Sequence, residues 1–304
     1  MKLENTLNIV FISLILFSIN AYSQDDANQV SACNQALNNA QHAQAIGIAD
    51  ELLAKNSEHA DALLCKGRAL DALGKNDEAE KTLALAVKHA KSGFDSTVAN
   101  LILGNFYRQH QKVDQALINY QNSLKQSQQD NNQKFTRISH NLMAEAYTQK
   151  KDYNAALNSY QAGSELSNND NERADSYERL ANTYKALNQL DKAIEFQLKA
   201  VLMQKKSGTL DQYAEASLAL GQLFTHNKDY PSAEKTLNRL LKFSQENGGV
   251  YYEAKTDLYL AQTKQAQGDY AAASALLQDA EKIATKIHAN DLVASIKQTQ
   301  ETAQ

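Results

Sequence analysis

Leu103-Gly-Asn-Phe-Tyr-Arg108, followed by Val113-Asp-Gln-Ala-Leu-Ile-Asn-Tyr120, decides the fold of this 304-residue chain. Gly104 stands twelve residues before Ala116, Tyr107 nine before it, and Tyr120 four after it. The same offsets return along the chain. Ala45, Ala79, Ala116, Ala156, Ala193, Ala233 and Ala273 follow one another at gaps of 34, 37, 40, 37, 40 and 40 residues. Twelve residues before them stand Cys33, Gly67, Gly104, Ala144, Ala181, Gly221 and Ala261, all of them small. Nine before stand Ala36, Leu70, Tyr107, Tyr147, Tyr184, Phe224 and Lys264, mostly large; four after stand Ala49, Leu83, Tyr120, Tyr160, Gln197, Leu237 and Leu277. Independent columns that agree at one period mark a stacked repeat array.

Each unit reads as two antiparallel helices, because the offsets keep these residues on one face of a helix that turns every 3.6 residues. A small residue opposite an alanine lets two backbones approach closely. Turn signals lie between the helices: Gly74-Lys-Asn-Asp, Lys151-Asp-Tyr, Asn188-Gln-Leu-Asp, Lys228-Asp-Tyr-Pro and Gly268-Asp-Tyr, whose Asp and Asn suit helix caps. Pro231, the chain's only proline, is expected in the first turn of a second helix, where its missing N–H is harmless. The longer gaps add three or six residues, close to one or two helical turns, so lengthened helices keep their faces in phase.

With these columns the chain resembles the tetratricopeptide repeat family over roughly residues 27–286. The resemblance implies an all-α fold, an α-solenoid wound as a right-handed superhelix of about seven helix pairs. The lengthened units resemble those of kinesin light chains and of bacterial signalling and regulatory proteins. The large aromatic that the family carries near the start of each first helix is mostly missing, since Gln29, Leu63, Asn100, His140, Tyr177, Ser217 and Asp257 stand there. The array is expected over residues 24–287, with a capping helix and polar tail at 288–304, in which Asp291 caps a helix carrying Leu292, Val293 and Ile296.

The N-terminus carries an apolar run, Ile9-Val-Phe-Ile-Ser-Leu-Ile-Leu-Phe, followed by Ala21-Tyr-Ser23. That is the form of a signal peptide ending at residue 23, which implies a periplasmic or secreted protein; an uncleaved anchor is the alternative. The absence of any Asn-x-Ser/Thr sequon leans towards a bacterial periplasm. A formal charge of −4 argues against a nucleic-acid surface, and a membrane is a partner only if the anchor stays uncleaved.

Catalysis has no visible home. The seven histidines are scattered without metal-ligand spacing, and neither a phosphate-binding Gly-rich loop nor a nucleophile elbow occurs. No cofactor and no metal is expected. Cys33 and Cys65 lie in successive first helices, offset by two residues, so a disulfide between them competes with a reading as two buried packing thiols. Eleven residues before the marker alanines runs a polar column: Asn34, Arg68, Asn105, Glu145, Asn182, Gln222 and Gln262, with Arg108, Asn141 and Lys185 one turn away. The resemblance implies that this column lines a concave groove, where amides hold the backbone of an extended peptide; a merely solvated face is the plainer reading. The expected function is thus a non-enzymatic periplasmic scaffold for a protein or peptide partner. A membrane-tethered module that senses a ligand or peptide is the alternative.

Overall fold

The structure, a computed structural model, describes residues 24–301. The signal-peptide reading falls on residues 1–23, outside the described residues. Among those described there are fifteen α-helices and no strand. They are α1 (Gln24–Asn38), α2 (His42–Lys55), α3 (Ala60–Ala72), α4 (Asn76–Lys88), α5 (Gly93–Gln109), α6 (Val113–Gln129) and α7 (Gln133–Gln149), then α8 (Tyr153–Ser164), α9 (Asp170–Ala186), α10 (Leu190–Ser207), α11 (Leu210–His226), α12 (Tyr230–Glu246), α13 (Val250–Gln267), α14 (Tyr270–Lys286) and α15 (Asn290–Glu301). The fold is an all-α solenoid, and it parts into two compact units between Lys151 and Asp152. Within each unit consecutive helices pack in turn, and first helices also touch first helices, as α1 does α3 and α11 does α13.

Every marker alanine is at most 1% exposed. The structure corrects what stands against the small residue twelve positions earlier. A Cβ placed on Gly104 would lie 2.5 Å from the ring of Tyr120; one on Gly67 would lie 2.6 Å from Leu83, and one on Gly221 2.6 Å from Leu237. The notch therefore receives the large residue four places after the alanine, and the alanine itself fills the narrow seam beside it. Leu83, Tyr120 and Leu237 are buried at 0–1% exposure. Wider layers of leucine and aromatic side chains then join neighbouring hairpins, as where Leu101, Leu117 and Tyr120 meet Leu142 and Met143.

Five residues before each marker alanine the backbone turns left-handed, at Ala40, Gly74, Gln111, Lys151, Asn188, Lys228 and Gly268, with φ between 56° and 86°. The next N–H reaches back to the carbonyl at the end of the first helix: Lys75 to Leu70 at 2.9 Å, Lys112 to Tyr107 at 2.8 Å and Asp229 to Phe224 at 2.9 Å. This is the closed helix end for which glycine is the natural residue, yet only Gly74 and Gly268 supply it among those seven positions. Asp152, Asp229 and Asp269 then cap the second helices, each accepting from the N–H three residues on at 3.1–3.2 Å. Two expected caps fall elsewhere: Lys75 and Gln189 occupy the cap positions and make no side-chain bond, leaving Asp77 and Asp191 in the first turn. Pro231 sits in the first turn of α12. Asp291 likewise lies in the first turn of α15 and not at its cap, while Leu292 and Ile296 bury against Leu277, Ala280 and Ala284.

These two features call for opposite responses to mutation. Gly104→Ala forces a methyl into a ring that cannot swing away, since the Tyr120 hydroxyl is bonded to Asn105; it should lower stability by about 1–3 kcal/mol. Gln111→Gly relieves a left-handed L-residue, and after the entropy it adds to the unfolded chain should raise stability by about 0.5–1 kcal/mol. Urea denaturation of both variants reads the two signs.

Candidate functional site

The polar column lies along the first helices, and its two halves are differently occupied. In the unit before Asp152 most of its members are already engaged, with one another or with neighbouring groups. Arg68 Nη1 donates to Asn34 Oδ1 at 3.2 Å, across α1 and α3, and burial pulls the Arg68 guanidinium below its usual value. Asn34 also spends its amide N–H on the carbonyl of Val30 at 3.0 Å. Asn105 Oδ1 accepts from the buried Tyr120 hydroxyl at 2.8 Å, and Arg108 reaches Glu145 at 3.4 Å, across α5 and α7. Asn141 is buried at 9% exposure, so it does not line an open surface. This half of the column works largely as internal stitching between neighbouring hairpins.

From Asp152 onward the column is open. Asn182 and Lys185 on α9 and Gln222 on α11 are exposed, and their side chains hydrogen-bond to none of the described residues. Gln262 on α13 is half-buried and lines a cleft of about 330 Å³ with Tyr251, Lys255, Tyr259 and Asp291. The five cleft residues on α13, Leu258 included, stand at i, i+4, i+7, i+8 and i+11, one face of a helix. Sequence reading found Gln262 and missed the other four, although that spacing was there to be seen. No group of three or more metal-ligating side chains occurs among the described residues, and none of their helices is long and apolar enough to cross a membrane.

A family model described as tetratricopeptide repeat matches residues 172–246, and one described as Psidin, N-terminal TPR repeats region, matches residues 29–170. The chain belongs to the tetratricopeptide repeat family. Among solved structures, the apo form of RapI superposes with a TM-score of 0.65 at 17% identity, over 86% of this chain and 77% of that one. The C-terminal part of a TPR repeat-containing protein from Cytophaga hutchinsonii gives 0.63 at 14% identity, over 84% and 95%. At such identities the likeness is one of fold. No curated protein matches the chain. The fold of a tetratricopeptide repeat protein is that of a protein–protein interaction scaffold.

Two further features of this tetratricopeptide repeat protein bear on its chemistry. Cys33 and Cys65 are joined as a disulfide between α1 and α3, their Cα atoms 6.3 Å apart, in a buried cluster with Ala36, Ala45, Ala49 and Ala69. Carboxyls also lie buried or half-buried in the helix seams. Asp61 is raised to about 6 by burial and by Asp95, and Glu178 to about 7, chiefly by burial. Asp257, at 7% exposure, occupies one of the places where the family carries an aromatic; burial, then Asp279 and Glu253, raises it to about 6. A raised folded value means that ionisation opposes folding. The cost is absent below the unfolded value near 4, grows as the pH rises to 6, and is complete above it.

Asp257→Asn removes that cost. It should stabilise the protein by about 2 kcal/mol at pH 7.5 and by nothing resolvable at pH 3.5. Urea titrations at the two pH values measure the difference.

Proposed function

We propose that the chain is a non-enzymatic, exported scaffold that holds an extended segment of a partner protein against the open first-helix face after Asp152. The observation that carries this reading is that Asn182, Gln222 and Gln262 hydrogen-bond to none of the described residues, whereas Asn34 and Asn105 are already engaged. A primary amide offers one acceptor and two donors, which matches the C=O and N–H of a peptide unit. Helices in direct contact lie about 8–10 Å apart and an extended chain advances about 3.3 Å per residue. Gln222 and Gln262, on the touching helices α11 and α13, would therefore grip peptide units about three residues apart. Amides that pair to backbone fix register and leave sequence preference to neighbours such as Lys185. Export is supported by the apolar run before Ser23 and by the Cys33–Cys65 bridge, since such bonds persist in oxidising compartments.

Asn182→Ala combined with Gln222→Ala should weaken capture of the partner segment about tenfold, each lost bond being worth about 0.5–1.5 kcal/mol, with helicity unchanged. Asn34→Ala should change capture little. Equal losses from both variants would move the binding face. Intact-mass measurement of the protein from its native host should give an N-terminus at Gln24; a retained Met1 would reject export by cleavage.

A further inference from the structure

We propose that the cleft between α13 and α15 seats a lysine or arginine side chain of the bound segment, a refinement that rests on the scaffold reading above. Its floor is Leu258 and Leu292, 3% and 4% exposed, and its wall carries Tyr251 and Tyr259. A volume of about 330 Å³ accommodates one long side chain and excludes a helix. The charge around it is net negative. Glu215 from α11 and Asp291 from α15 both bear electrostatically on its tyrosine Tyr251, and Lys255 is the one cationic side chain in its lining.

Lys255 displays the chemistry that the site accepts. Its Nζ lies 2.5 Å from Glu215 Oε1 and 5.9 Å from the ring centroids of both Tyr251 and Tyr252. A carboxylate and two aromatic faces thus already hold one ammonium of the chain's own, an arrangement in which cation–π attraction adds to the ion pair. Asp291, exposed at the mouth, is ion-paired with none of the described residues and remains to meet a second cation. Gln262 lines the same cleft with its amide unengaged, so a segment gripped there by its backbone would place a neighbouring side chain against Asp291. An acidic side chain would meet two carboxylates, Asp291 and Glu215. A neutral one would gain neither the ion pair nor the cation–π attraction.

The test uses Nα-acetyl-arginine amide as probe against the full chain, with amide NMR signals of α13 and α15 as readout. Nα-acetyl-citrulline amide, the same shape without charge, is the control. Saturable shifts confined to Tyr251–Gln262 and Asn290–Ser295 are expected with the arginine probe, at least fivefold weaker with citrulline. Asp291→Asn should weaken the arginine probe about threefold. Lys255→Gln should strengthen it by a similar factor, because it vacates Glu215 for the guest. Equal binding of arginine and citrulline, no saturable shift, or weaker binding by Lys255→Gln would overturn the proposal. The probe is one residue long and cannot span the amide column, so its failure condemns the cleft alone. The Asn182 and Gln222 variants judge the column separately.

Discussion

The contact between a glycine and the large side chain four residues past the next alanine governs this architecture. Gly67 with Leu83, Gly104 with Tyr120 and Gly221 with Leu237 are the same event repeated. A missing Cβ on one helix admits a whole leucine or tyrosine from the other, and dispersion over that interdigitated surface replaces what a looser crossing would give up. The alanine beside it has no choice of size. Because the event is local to one hairpin, the chain can repeat it at 34, 37 or 40 residues without altering it, and the extra helical turns fall beyond the seam.

How far the sequence could be read follows from which forces are local. The hairpins, the buried alanines and the position of Pro231 rest on spacing alone and were readable from it. The left-handed turn column was not. Only Gly74, Asn188 and Gly268 advertise such a backbone, while Ala40, Gln111, Lys151 and Lys228 are carried into it by the closure of the helix end. The polar column shows the same limit in another form. Its register was readable, but its use depends on neighbours remote in sequence: Tyr120 takes Asn105, and Arg68 takes Asn34. Spacing cannot reveal that half of a column has been spent internally. Asn141, polar and in register one turn away, is simply buried.

The contrast between engaged and open amides also carries an energetic lesson. A buried hydroxyl such as that of Tyr120 needs a partner, and the nearest available oxygen belongs to a column that an extended ligand could otherwise use. Stability of the aromatic seam and availability of the binding face therefore compete for one atom. In the unit after Asp152 leucine fills the Gly221 notch, and the amide beside it, Gln222, stays uncommitted.

The Cys33–Cys65 bond has an effect on how the molecule comes apart. A linear array is weakest at its extremities, where a repeat has one neighbour and peels first. Tying α1 to α3 forces the opening hairpin to leave together with the second one or stay. No such bond holds α15, the last described helix, which is kept in place by Leu292 and Ile296. Under heat or tension the helices on either side of the bridge are thereby kept from parting one at a time.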